Sequence, residues 1–239
     1  MAWSQGNLDT QWALKYWKST RSKVSDFISI SPDFHGTTES YLICLGLPGL
    51  ACTPAVIQQE YSSNFVTTLR RNGGDSAYVP TTTIYSESDE VVSPQSGKGA
   101  SAFMLDARNV GVSNTDIQIT CGKNAPAAGD VTHEGVLYNS LAYALAVDAL
   151  KNPGPGSLSR INVTAACSQI IAPGLDLADF LLTEGEFKLL LEPEEYPSQF
   201  HSRIVHGCSA PVNTKELRNM EANIFFARCP GYCSPNYYR

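Results

Sequence analysis

Three polar residues stand out by type and order. Ser4 lies in Ala2-Trp3-Ser4-Gln5-Gly6, a near match to the G-x-S-x-G nucleophile elbow with Ala in place of the first Gly. The elbow is a strained strand-to-helix turn that lifts a serine hydroxyl out at a helix N-terminus. Small residues are needed two before and two after the serine because neighbouring elements crowd the turn. The amide of Gln5 would point at a developing oxyanion. A serine that merely caps a helix is the plainer alternative. Asp89 follows in a polar loop, and His133 after it, just ahead of a strongly helical stretch. The order Ser, Asp, His is that of the α/β-hydrolases. In such a site the imidazole takes the serine proton, and the carboxylate fixes its tautomer. Singly, Asp89 also suits a turn, and His133 suits a helix start capped by Thr132. Together the three positions are harder to dismiss than any one alone.

The elements that must position these residues follow from periodicity. Apolar residues at 8, 12, 13, 16 and 17 predict a helix over 6–17. Residues 23–31 read as a strand ended by Pro32-Asp33, and 39–53 as a loop. Pro54 opens a helix that runs to Asn72-Gly73-Gly74. Tyr78 to Tyr85 reads as a strand, 86–90 and 93–101 as loops, and Ile117 to Cys121 as a further strand. After a loop over 122–132, Glu134 to Lys151 is the clearest helix, stopped by Asn152-Pro153-Gly154. A last helical stretch lies near 175–191. Strands alternating with helices predict an α/β fold with a mostly parallel sheet. Ligands bind such sheets in the loops that follow the strands, where the polar residues gather.

Composition narrows the function classes. The chain has 239 residues, enough for one large domain or two small ones. It is 43% apolar and 17% charged, which argues against disorder and coiled coil. The net charge is −6, so nothing provides the basic excess that nucleic-acid binding requires. No apolar run approaches a bilayer span. Seven cysteines in a thinly charged chain suggest a secreted, disulfide-bonded protein. Against that, Met1-Ala2-Trp3-Ser4 has neither the basic nor the apolar region of an export signal.

With these residues in place the sequence resembles the fungal lipase B family of α/β-hydrolases. The resemblance rests on Ala2-Trp3-Ser4-Gln5-Gly6 with Gln11-Trp12, on Arg21-Ser22-Lys23-Val24, and on Ser31-Pro32-Asp33-Phe34-His35-Gly36-Thr37. It continues through Val56-Ile57-Gln58-Gln59 and the most specific block, Pro80 to Gln95, which carries Asp89. His133 ahead of Glu134-Gly135 completes it, over about residues 2–180. The resemblance implies a lipase or carboxylic ester hydrolase with Ser4 as nucleophile, His133 as base and Asp89 as orienting acid, and with the Gln5 amide as oxyanion donor. Trp3 would floor the alcohol side of the pocket. Asp33 and Gln59 would be buried polar residues on the acyl side, and Val91 and Val92 its apolar walls. It implies a Cys121–Cys167 disulfide. It implies a secreted monomer with no cofactor or metal, acting on triacylglycerol or other esters, in solution or at an oil–water interface. A short-chain esterase or cutinase-like enzyme, or a non-catalytic remnant, are the alternatives.

The family's elbow is preceded by a signal peptide, sheet strands and a Gly- and Thr-rich oxyanion loop, so this chain is expected to be the C-terminal part of a lipase, missing the first strands. On that expectation residues 1–191 form a partial lipase domain, poorly folded and nearly inactive alone. Residues 192–239 form a divergent cysteine-containing segment. Cys44 and Cys52 flank a Gly-Pro loop and either pair or remain buried thiols. His201, His206, Cys208, Cys229 and Cys233 cluster near the C-terminus. Pairing of Cys208 with Cys229 or Cys233, a zinc site, or translated non-coding sequence are the readings there. Asn162-Val163-Thr164 is a glycosylation sequon if the protein is exported.

Overall fold

In the computed structural model the strand ends that carry the polar residues are brought side by side by a parallel sheet. Residues 1–39 and 54–190 are described; they fall within the compact unit Met1–Pro193. Strands β1 (Ala2–Trp3), β2 (Phe27–Ile30), β3 (Thr81–Tyr85) and β4 (Val112–Asp116) pair in that order, all parallel. Ala2 lies opposite Ser29 and Trp3 opposite Ile30. Phe27 to Ile30 lie opposite Thr81 to Ile84, and Thr81 to Tyr85 opposite Val112 to Asp116. Every residue of β2 and β3 is buried, as expected of central parallel strands covered on both faces.

Parallel neighbours need crossover connections. Helix α1 (Gly6–Tyr16) links β1 to β2; α2 (Pro54–Gln58) and α3 (Asn64–Arg70) lie between β2 and β3. After β4 come α4 (Ile117–Cys121), α5 (Gly135–Tyr138), α6 (Ser140–Lys151), α7 (Val163–Cys167) and α8 (Leu177–Leu190). Alternation along the strands splits the core between two faces. Trp3, Ile30 and Ile84 pack with Ile117, Val136, Leu141 and Leu145. Ala2 and Phe27 pack with Leu14, Phe34, Val79 and Met104 on the other.

Several elements differ from the sequence expectation. Ile117–Cys121 is a helix, not a strand, because the Asp116 carboxylate accepts from the Ile119 amide and caps it. The strand lies one step earlier, in the polar run Val112–Asp116. Its Asn114 side chain is occupied by the Met104 backbone and the Thr83 hydroxyl. The helix expected over 54–72 is two, separated where Ser63 caps α3 through the Val66 amide. The helix expected over 134–151 also breaks, at Asn139. Its carboxamide oxygen accepts from Leu141 and Ala142 while its Nδ2 donates to Ala127 O. The short helix α7 falls where no element was expected; Asn162, the sequon asparagine, caps it and is exposed.

The expected Cys121–Cys167 disulfide is present, with Cα atoms 5.3 Å apart, and joins the ends of α4 and α7. Cys44, Cys52 and the loop around them lie outside the described residues, as does the whole of 192–239 with His201, His206, Cys208, Cys229 and Cys233. No helix among the described residues is long and apolar enough to cross a membrane.

The disulfide closes a loop across 46 positions. The chain-entropy relation gives about 4 kcal/mol for a loop of that size. A Cys121→Ser/Cys167→Ser double variant should therefore unfold at markedly lower denaturant than the parent. An unchanged midpoint in matched urea titrations would mean that the bridge constrains nothing.

Candidate active site

Ser4 occupies the turn between β1 and α1. Its φ is +52°, left-handed for a non-glycine residue, a conformation that surrounding structure must hold in place. Three bonds do so. The Ser4 amide donates to Ile30 O (3.1 Å), and buried Asn7 donates from Nδ2 to both Ser4 O (2.9 Å) and Ile30 O (3.0 Å). The small residues flanking the serine meet across the turn: a Cβ on Gly6 would lie 3.7 Å from Ala2 Cβ. A methyl group there would make an ordinary van der Waals contact. Gln5 sits at the N-cap of α1 with helical φ/ψ and contributes no side-chain cap. Its amide therefore lies at the open, electropositive end of α1.

His133 and Asp89 meet in the core. His133 Nδ1 lies 2.8 Å from Asp89 Oδ2, with the two side chains 2% and 0% exposed. Asp89 Oδ1 accepts from the amides of Val91 (3.0 Å) and Val92 (2.8 Å). The carboxylate thus has both oxygens engaged, one by the ring and one by backbone. The other ring nitrogen, Nε2, is buried and has no partner among the described residues. The imidazole packs against the Trp3 indole, ring centres 5.1 Å apart, and Trp3 Nε1 donates to His133 O at 3.3 Å. Trp3 is covalently next to Ser4, so the imidazole lies against the residue that precedes the elbow serine.

Burial acts to lower the His133 pKa, but the Asp89 hydrogen bond and charge, with Glu134 and Asp33 nearby, leave it above the ordinary imidazole value. Asp33 is fully buried with neither carboxyl oxygen bonded to a side-chain or backbone donor of another described residue. Burial pushes its pKa up to about 7, the neighbouring imidazole offsetting only part of that rise. Its loop is held by Gly36, whose φ is +76° and where a Cβ would come within 2.7 Å of Gln59 O.

The other expected pocket residues divide. Val92 is 1% exposed and Val91 half-buried. Beyond any apolar wall, their amides grip Asp89. Gln59 departs from the expectation of a buried polar residue: it is half-buried, and its Nε2 donates to Ala55 O one turn back along the chain. A carboxamide this close to α2 finds its acceptor locally, an option that spacing in the sequence does not reveal.

Comparison with known proteins shows what the chain is similar to. No family model matches the chain. Lipase B of Pseudozyma antarctica is 34% identical over 155 residues, 64% of this chain and 42% of that protein. The crystal structure of Aspergillus fumigatus lipase B superposes with a TM-score of 0.75 at 59% identity, over 79% of this chain and 45% of that one. The chain is similar to these two fungal lipases B over the part it shares with them. It spans less than half the length of these two relatives. Its parallel sheet and flanking helices are those of an α/β-hydrolase, as the lipase B resemblance implied.

Several residues around the site were not singled out by sequence reasoning. Asn7 ties the elbow to β2. Glu90 Oε2 accepts from the His133 amide (3.1 Å). Ser86 Oγ donates to Val131 O (2.7 Å), and Ser31 Oγ to His133 O (2.9 Å). Glu184 on α8 accepts from Thr132 Oγ1 (2.7 Å) and Tyr138 OH (2.8 Å). A cavity of about 260 Å³ beside this last pair is lined by Tyr138, Phe180 and Glu184, and by none of Ser4, Asp33, Asp89 or His133. The only cue in the lipase B-like blocks was that polar residues cluster at strand ends.

The Asp33 carboxyl has a consequence for stability. Its pKa rises on folding from 3.8 to about 7, so the unfolded chain releases this proton first as pH increases. Stability is full below the unfolded value and falls as pH rises toward 7, by roughly 4 kcal/mol at 1.36 kcal/mol per unit. Asp33→Asn, which mimics the protonated acid, should melt above the parent at pH 8, with the gap closing toward pH 5. Equal gaps at both pH values would show that Asp33 ionises freely in the fold.

Proposed function

We propose that this chain carries the acid–base and nucleophilic residues of a carboxylic ester hydrolase, acting on triacylglycerol or related esters through an acyl-enzyme. The observation that carries the reading is the imidazole of His133. One nitrogen is bonded to a buried carboxylate, the other is free, and the ring lies against the residue preceding a left-handed serine. A buried polar atom without a partner is rare unless a reacting group completes it.

The steps follow from those positions. His133 Nε2 accepts the Ser4 hydroxyl proton as Ser4 Oγ attacks the ester carbonyl carbon. Asp89 fixes the tautomer with Nδ1 protonated and stabilises the imidazolium that forms. The Gln5 amide at the N-terminus of α1 donates to the carbonyl oxygen as it becomes anionic. The C–O bond to the alcohol breaks, and that oxygen takes the proton from Nε2. Water, deprotonated by the same nitrogen, then attacks the acyl carbon; the bond to Ser4 Oγ breaks, that oxygen takes the proton back from Nε2, and the acid is released. Trp3 forms the floor on the alcohol side, and Asp33 presents a protonated carboxyl on the acyl side at mildly acidic to neutral pH. Kinship with the lipases B and the Cys121–Cys167 disulfide support export to an oxidising compartment.

A fluorophosphonate probe should label Ser4 of the full chain, and Ser4→Ala should abolish both labelling and hydrolysis of a p-nitrophenyl ester. Asp89→Asn should lower kcat on the order of 10³- to 10⁴-fold, as for a triad that loses its tautomer control. Because the base must be neutral and its pKa is raised, the acid limb of kcat/KM should lie above 6.5, the ordinary imidazole value. In Asp89→Asn that limb should move to lower pH. Labelling elsewhere than Ser4, or an acid limb unaffected by Asp89→Asn, would remove the basis for the assignment.

A further inference from the structure

Ser4 and Ser31 are neighbours across the sheet: each is the first residue beyond paired strand positions, since Trp3 lies opposite Ile30. Both are left-handed, with φ of +52° and +43°. The conformation at Ser4 is that of the elbow. At Ser31 nothing in the proposed chemistry requires it. Ser31 is nonetheless fully buried, and its amide donates to Ile84 O at 2.9 Å while its Oγ donates to His133 O at 2.9 Å. A left-handed backbone is costly for an L-residue without a compensating contact. Here the turn aims the hydroxyl at a carbonyl that lies 102 residues away in sequence.

That carbonyl belongs to the proposed base. It accepts two donors, the Ser31 hydroxyl at 2.9 Å and the Trp3 indole N–H at 3.3 Å. The same backbone segment is held once more from the next strand end, where Ser86 Oγ donates to Val131 O at 2.7 Å. The amide of His133 is taken by Glu90. The backbone carrying the imidazole is thus pinned from two successive strand ends, and Ser31 makes the shorter of the two bonds at His133 itself.

We propose that Ser31 is a positioning residue for His133: its hydroxyl fixes the His133 carbonyl and so holds the imidazole in register with Asp89 and the Ser4 elbow. The proposal rests on the hydrolase reading for its effect on turnover, but not for its effect on the His133–Asp89 hydrogen bond. Losing the hydroxyl leaves the longer Trp3 bond alone at that oxygen. The ring then loosens from Asp89, which weakens the interaction that favours the protonated imidazole. Misplacement of a base by a fraction of an ångström to an ångström lowers turnover on the order of 10- to 100-fold.

Two variants separate the hydroxyl from the backbone turn. Ser31→Ala removes the donor and keeps the unfavourable φ; Ser31→Gly removes the donor and relieves it. In the full chain, proton NMR of the His133 Nδ1–H, assigned by its loss in His133→Gln, should show this resonance moved upfield or broadened in both variants. Ester turnover should fall 10- to 100-fold in kcat with KM little changed, and the acid limb should shift to lower pH, all measured below the melting temperature of each variant. A wild-type resonance and pH profile in both variants would overturn the proposal, as would restoration of wild-type behaviour by glycine alone. If the parent chain shows the resonance but no labelling of Ser4, the hydrolase reading fails and the NMR comparison still decides the role of Ser31.

Discussion

The hydrogen bond between His133 Nδ1 and Asp89 Oδ2 is the constraint around which the described structure is arranged. Both groups are removed from water, and an ionisable pair in that position is stable only if its remaining lone pairs and protons are met. The Val91 and Val92 amides meet the second carboxylate oxygen. Trp3 covers the ring. What is left is a single ring nitrogen without a partner among the described residues, on a ring packed against the residue that precedes the left-handed Ser4. The electrostatics work in the same direction: desolvation opposes charging the imidazole, and the surrounding carboxyl groups more than compensate. The imidazole is thereby more basic than an ordinary one.

Such an arrangement depends on a parallel sheet. All four strands run the same way, so their C-terminal ends lie along one edge. Ser4 follows β1, Ser31 and Asp33 follow β2, and Ser86 and Asp89 follow β3. His133 comes from a later connection that lies over this edge and is bonded to the strand ends through its own backbone. Residues far apart in the chain are therefore brought to one edge, and the side chains of Ser31, Ser86 and Asp89 are each fixed by a backbone partner. Asp33 has no such partner. Its carboxyl is buried with no donor from another described residue, a polar group whose desolvation the fold leaves unrelieved.

Helix α1, the strands β2 and β3 and the parallel class of the sheet were legible in the sequence, because apolar periodicity reports burial directly. The failures have a common cause. At Asp116, Ser63 and Asn139 a polar side chain caps a helix and starts or divides an element. Whether such a residue caps, turns or simply faces solvent depends on what is packed around it. The edge strand β4 was missed for a related reason. Its Asn114 side chain is satisfied by partners on a neighbouring strand and loop, and its mostly polar sequence lacks the apolar alternation of a half-buried strand.

The sequence by itself determined the chemistry available: a serine flanked by small residues, a later aspartate and a later histidine, in an order and in blocks shared with the lipases B. These are local properties, carried by residue type and short spacing. Only the tertiary structure decided which of the many serines and carboxylates serve that histidine. Ser31 and Ser86 look like ordinary strand-end serines in the chain, and Gln59 like a candidate for the pocket. Their actual partners are set by sheet register and backbone dihedrals, which arise from contacts between segments up to about a hundred residues apart.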